Sequence, residues 1–269
     1  MESNGKYFEA NKKLWNDRTN VHIKSDFYDV EGFKKGKTSL KFIELEELGD
    51  VKGKSILHLQ CHFGQDSLSL ARMGAKVTGI DISEKAIEEA KKLNNELSLN
   101  AEFICCNVYD IEKYLNEKFD IVFTSYGVIG WLPDLSKWAE LISKYLKPGG
   151  MFYMVEFHPY IWIFDDDFDY FKYSYFHTGK PIEDFIEGTY TDRNADISGT
   201  DYCWNHDLSY VFTCLMKNGL QIKSFKEFPF SVYNVFPGME KIGEDKFVIK
   251  KFGDKIPYLY SLKALKGKN

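Results

Sequence analysis

From Lys54 onward, short apolar runs alternate with stretches whose apolar residues recur at helical spacing, and this alternation constrains the fold more than any other feature. "KSILHLQ" (54–60) is a run of buried-strand type. It precedes "DSLSLARMG" (66–74), where Leu68, Leu70, Ala71 and Met73 share a helical face and Gly74 stands at the C-terminal cap. "AKVTGIDIS" (75–83) reads as a second strand. Ser83 reads as the N-cap of a helix through "EKAIEEAKKLNNEL", with Ala86, Ile87 and Ala90 facing inward. "AEFICC" (101–106) and "FDIVFTSY" (119–126) are a third and fourth strand. A helix over 134–146 buries Leu135, Trp138, Leu141 and Ile142, "KPGG" (147–150) turns the chain, and "MFYMVEF" (151–157) is a fifth strand. Strands alternating with amphipathic helices form βαβ units, hence a parallel sheet covered on both faces.

After Phe157 the pattern stops. Residues 159–205 are dense in aromatics and aspartates, with no helical period; Asp165, Asp166, Asp167 and Asp169 read as a solvated edge. The alternation resumes with a helix over 207–219, a strand over 220–228 and a last strand over 258–264. Between these strands, "DKFVIKKFGDK" offers an extra hairpin. No repeat, low-complexity run or Pro/Gly/Ser linker divides the chain, so a single domain over 1–269 is expected.

A net charge of −5, with lysines scattered among glutamates, gives no electrostatic case for a nucleic-acid partner or an anionic membrane surface. No apolar run approaches the roughly 20 residues that span a bilayer, and "MESNGKYFEANKK" lacks the apolar stretch of a signal peptide. Five cysteines, an odd number without framework spacing, suit a reducing cytoplasm better than a disulfide scaffold.

The turn "HLQCHFGQDS" (58–67) admits two chemistries. One is a small metal site on His58, Cys61 and His62. A His-x-x-x-His pair converges only on a helix, however, and residues 58–60 read as strand, with no Cys-x-x-Cys or second histidine pair in support; no metal is expected. The other is a cofactor turn between strand and helix.

Together with the strands beyond it, the turn resembles that of a class I S-adenosylmethionine-dependent methyltransferase, over roughly residues 54–265. The marks come in order: the glycine-bearing turn after the first strand; Asp81, 17 residues after Gly64, ending the second; "CNVYD" (106–110) ending the third; "FDIVFTSY" as the fourth; and "LKPGG" before the fifth. The chain is also similar to a bacterial group with "HLQCHFGQD" and an "EFHP" segment after strand five, a likeness that names no acceptor.

The resemblance implies a doubly wound, mostly parallel, seven-stranded Rossmann-like sheet with an antiparallel last strand. It divides the chain into an N-terminal helical cap (1–50), a cofactor-binding half (51–158), an inserted substrate cap (159–205) and the rest of the sheet (206–269). It implies S-adenosyl-L-methionine as cofactor, with Asp81 on the ribose hydroxyls, Ile82 against the adenine, and Asn107 and the Val108 backbone at its amino group. Gln60, Cys61, His62, Gly64 and Ser125 complete the cofactor residues.

The family's turn carries an acid in the strand and three alternate glycines. Here those places hold His58, Gln60, His62 and Gly64. That argues against a nicotinamide dinucleotide, whose diphosphate needs a close backbone approach. Gln60 and His62 are expected to narrow the methionine end of the pocket and supply hydrogen bonds there. His58 is expected to be an interior histidine and Asp66 a helix N-cap.

Methyl transfer is an in-line displacement that requires alignment, exclusion of water and, for some acceptors, removal of a proton. His158, just past strand five, and Tyr126 are the catalytic candidates. A structural role before Pro159 remains open for His158. Trp15, Arg18, Tyr28, Trp131, Glu156 and His206 are the substrate-side candidates; Trp15, Arg18, His22 and Tyr28 form either a helical lid or an ordinary packed helix. The expected function is methyl transfer to a small molecule, the alternative a cofactor-binding sensor or partner protein without transfer.

Overall fold

The helices of the βα units mostly begin where the sequence marks a cap. The Ser83 hydroxyl accepts the Ala86 N–H at 3.0 Å, Asp134 accepts the N–H groups of Ser136 and Lys137 at 2.9 and 3.0 Å, and Asp207 accepts that of Tyr210 at 2.9 Å. The computed structural model describes residues 4–268. Three helices form the N-terminal cap: α1 (Gly5–His22), α2 (Val30–Lys34) and α3 (Phe42–Leu48). The alternating units follow as β1 (Ser55–Leu59), α4 (Gln65–Arg72), β2 (Lys76–Asp81), α5 (Glu84–Glu96), β3 (Ala101–Cys105), β4 (Phe119–Thr124), α6 (Leu135–Tyr145) and β5 (Leu146–Phe157).

The inserted segment holds an antiparallel hairpin, β6 (Ile182–Glu187) with β7 (Ser198–Cys203). The chain ends with α7 (Leu208–Lys217), β8 (Leu220–Phe228), a second hairpin of β9 (Met239–Gly243) and β10 (Lys246–Ile249), and β11 (Leu259–Lys266). The expected 147–150 turn lies inside β5, because Leu146 already pairs with Phe119; the register slips before Ile121, and Gly149 absorbs it at φ +77°.

The main sheet has the order β3-β2-β1-β4-β5-β11-β8, with β1 to β5 parallel and β11 antiparallel to both neighbours. Successive residues of β5 face opposite layers. Phe152 and Met154 pack with Trp138, Leu141, Ile142 and Leu215 from α6 and α7. Tyr153 and Val155 pack with Ile43 and Leu48 from α3 and Leu68 from α4. The N-terminal cap is therefore part of the core on one face of the sheet. Among the described residues, no helix is long and apolar enough to cross a membrane.

The strand order reverses at β1, which lies between β2 and β4, so the crevice outside the carboxyl ends of β1 and β4 is where this topology places a ligand.

Candidate active site

The turn leaving β1 keeps a glycine backbone with few glycines. Gln60, His62 and Gly64 all lie in the left-handed region, at φ +56°, +51° and +80°. For a non-glycine residue that conformation costs roughly 1–2 kcal/mol, so the surroundings must hold it in place. The Gln60 amide donates to the Val128 carbonyl at 2.8 Å, tying the turn to the loop after β4. The Cys61 N–H reaches the Ile80 carbonyl at 2.9 Å, and the His62 N–H reaches Asp81 at 2.8 Å. Only Gly64 keeps its glycine for lack of room: a Cβ there would stand 2.6 Å from the Phe103 ring. Gly64 also takes the N-cap position of α4, so Asp66 is not the cap; it lies within the first turn and faces the crevice.

His62 is joined across the turn to the N-terminal cap. Its Nε2 shares a hydrogen bond with His22 Nδ1 at 2.9 Å, and His22 Nε2 shares one with the Thr189 hydroxyl at 2.7 Å. Burial lowers His62 to about 3 and His22 to about 2, so both rings stay neutral and one N–H and one lone pair make each bond. Beside them the Arg18 guanidinium lies against the Trp15 and Trp131 rings, at 5.0 and 5.5 Å, and 3.4 Å from the Asp201 carboxylate. Helix α1 and the inserted segment therefore close over the turn together.

Beneath this roof is a cavity of about 1230 Å³, above the roughly 300–1,000 Å³ of a typical small-molecule site. Gln60, Cys61, His62, Gly64, Asp81, Ile82, Asn107, Val108 and Ser125 all line it. So do the substrate-side candidates Trp15, Arg18, Tyr28, Trp131, Glu156 and His206, with Tyr126. Asp81 accepts the backbone N–H groups of His62 and Ser83 at 2.8 and 2.9 Å, one per oxygen; burial raises it to about 6. Asn107 accepts the Tyr109 N–H at 3.0 Å through its amide oxygen, and among the described residues nothing engages its NH₂ group.

Several expectations need correction. His158 does not line the cavity: its Nδ1 accepts the Tyr160 N–H at 3.1 Å, and its Nε2 lies 3.0 Å from Glu227, on the far side of β5 from the crevice loops. Glu156 reaches the cavity but accepts the backbone N–H groups of Gly127, Val128, Ile129 and Phe157, so it organises the loop after β4. His206 lines the cavity, but its Nε2 is engaged as a donor to the Leu132 carbonyl at 2.8 Å, just before the Asp207 N-cap of α7. Trp131 donates to the Gly127 carbonyl at 2.8 Å. His58 is interior as expected, 1% exposed, with Nδ1 2.8 Å from the Ser67 hydroxyl.

The sequence did not single out the partners supplied from a distance: Thr189, Tyr190 and Asp201 from the insertion, Tyr233, and Glu44. The Tyr126 hydroxyl donates to Glu44 at 2.6 Å; burial pushes this fully enclosed carboxyl up to about 8. The first turn of α3 marks Glu44 as a capping residue through Lys41, but nothing local announces Tyr126, 82 residues away.

An S-adenosylmethionine-sized group fits these residues. Arg18, 7% exposed, has an Nε without a hydrogen-bond partner near the turn. The Gln60 carbonyl oxygen is likewise buried and unpartnered, and Asp81 faces the cavity. A dinucleotide fits less well, since side chains stand at two of the places where a diphosphate needs glycine.

Comparison with known proteins agrees. Residues 56–150 match the sequence family described as a methyltransferase domain. The chain is 34% identical over 111 residues to the ubiquinone biosynthesis O-methyltransferase of Coxiella burnetii; the match covers 41% of this chain and 46% of that one, so the chain spans less than half the length of this curated relative. Its fold is shared with the S-adenosylmethionine-dependent methyltransferase of Clostridium acetobutylicum (TM-score 0.58, 15% identity, 94% of this chain and 99% of that one). A Methanosarcina mazei methyltransferase of the same dependence is similar too (TM-score 0.55, 21% identity, 86% and 99%). Residues 56–150 thus match a methyltransferase domain, and the chain as a whole shares the fold of these S-adenosylmethionine-dependent methyltransferases.

Proposed function

We propose that the protein transfers a methyl group from S-adenosyl-L-methionine to a small molecule held beneath α1 and the 159–205 segment. The observation that carries this is the left-handed turn at the point of strand-order reversal, with Asp81 beside it, opening on one roofed cavity. The cofactor supplies an electrophilic methyl group on a sulfonium. Asp81 binds the ribose hydroxyls, and Ile82, Asn107 and Val108 receive the adenine. Gln60, Cys61, His62, Gly64 and Ser125 bound the methionine end, and Arg18 faces its carboxylate as a charge-assisted donor. Trp15, Tyr28 and Trp131 exclude water.

Of the two catalytic candidates Tyr126 remains, because it faces the cavity and His158 does not. Its hydroxyl, bonded to Glu44, positions an acceptor in line with the methyl group. A cytoplasmic location accords with five unpaired cysteines. The test is incubation with methyl-labelled cofactor and fractionated cell extract. Label should appear in a small molecule; label that stays on the cofactor favours a cofactor-binding sensor instead.

A further inference from the structure

Asp66 is a half-buried carboxylate that the proposed transfer does not use. It lies in the first turn of α4 and lines the cavity, with the hydroxyls of Ser39 and Ser125 beside it. Those hydroxyls are themselves anchored, Ser39 to Ser69 at 3.0 Å and Ser125 to His58 at 3.4 Å. A carboxylate accepts about four hydrogen bonds, so two hydroxyls leave roughly half its capacity open. Lys41, whose charge reaches Asp66, is committed to Asp245 at 3.2 Å. Burial pushes the Asp66 carboxyl up, and Glu44 is a buried carboxyl close enough to feel its charge. The remaining walls are the rings of Tyr28, Tyr126 and Tyr233, the last two edge to face at 5.0 Å. The Lys41 ammonium sits 5.0 Å from the Tyr233 ring centroid, so this ring already takes part in one cation contact.

We propose that Asp66, the Ser39 and Ser125 hydroxyls and the rings of Tyr28, Tyr126 and Tyr233 form a niche for a primary ammonium group. An ammonium has three donors and a compact charge; the niche offers a carboxylate, hydroxyl oxygens and electron-rich ring faces, and a bound cation offsets the burial of Asp66. Two sources carry that chemistry: the α-amino group of the cofactor and an amine on the methyl acceptor. The cofactor arm rests on the methyltransferase reading, and the acceptor arm only on the cavity.

The experiment is calorimetric titration of the wild type, Asp66→Asn and Asp66→Glu with S-adenosylhomocysteine, with 5′-methylthioadenosine, which lacks the amino-acid end, and with tyramine added to the S-adenosylhomocysteine-loaded protein. Loss of one charged hydrogen bond corresponds to about tenfold or more in affinity. If the niche takes the cofactor amine, Asp66→Asn weakens S-adenosylhomocysteine by that factor, leaves 5′-methylthioadenosine unchanged, and Asp66→Glu recovers part of the loss. If it takes an acceptor amine, tyramine binds the loaded wild type, 4-hydroxyphenylpropionate does not, and Asp66→Asn abolishes the difference.

The proposal is overturned if Asp66→Asn weakens both nucleoside ligands equally, since that marks a role in folding the turn. It is also overturned if S-adenosylhomocysteine is unaffected and tyramine fails to bind the wild type. A wild type that binds no S-adenosylhomocysteine but prefers tyramine to the carboxylate contradicts the methyltransferase reading and leaves the niche standing.

Discussion

Gln60 and His62 sit in backbone conformations that glycine adopts freely, and their side chains explain why glycine is absent. Each reaches across the crevice, Gln60 to the loop after β4 and His62 to α1. Two terms then separate. Truncating His62 to alanine keeps the left-handed strain and leaves the buried His22 ring short of a partner, at a cost of about 1–3 kcal/mol. His62→Gly loses the same bond but releases roughly 1–2 kcal/mol of strain, partly offset by glycine's entropy. Urea unfolding should therefore rank wild type above His62→Gly and His62→Gly above His62→Ala; an inverted order of the two variants would show that the strain is not real.

Glu44 makes a second prediction at this scale. Its carboxyl is raised from the ordinary 4.5 to about 8, so the folded chain binds more protons than the unfolded chain between those values. Stability from this group is intact below pH 4.5 and declines as pH rises toward 8. Glu44→Gln cannot ionise. Its unfolding free energy relative to wild type should improve between pH 5 and 8.5, by on the order of a few kcal/mol; a difference independent of pH would contradict the buried, protonated carboxyl.

At the scale of elements, α1 and the β6–β7 hairpin act as one roof. Asn11 gives them a two-point join, donating to the Tyr202 carbonyl at 2.7 Å and accepting the Tyr202 N–H at 2.9 Å, as a neighbouring strand would. Arg18 with Asp201, His22 with Thr189, and Tyr28 with Tyr190 extend the join toward the turn. Asn11→Ala leaves two half-buried backbone groups of Tyr202 without their partner, worth about 1 kcal/mol locally. Hydrogen exchange read by mass spectrometry should quicken over 198–203 while β1 and β4 keep their protection. Equal protection in variant and wild type would mean that the hairpin does not depend on α1.

Across the whole molecule, the sheet was legible because its determinants are local. Caps such as Ser83 and Asp134 and the apolar stripes of α5 and α6 lie within a few residues of what they specify. That residues 60–64, 81–82 and 107–108 gather at one cavity was legible for the same reason, since they close the ends of consecutive strands. The roof was not. His22 and His62 are 40 residues apart, Arg18 and Asp201 183, and no spacing rule joins them. His158 misled because sequence shows that a histidine follows β5 but not which way the chain turns; Pro159 and the Tyr160 N–H direct it toward Glu227. The β6–β7 hairpin was hidden because its half-exposed strands carry no apolar alternation strong enough to stand out.

The proposed function stands on the turn and Asp81 binding the nucleoside of S-adenosylmethionine, and equilibrium binding is the decisive measurement. Calorimetric titration should show S-adenosylhomocysteine bound by the wild type, weakened by about tenfold or more in Asp81→Ala as charged hydrogen bonds are lost, with NADH not bound. Equal affinity of wild type and Asp81→Ala for S-adenosylhomocysteine, or a preference for NADH, would contradict that assignment.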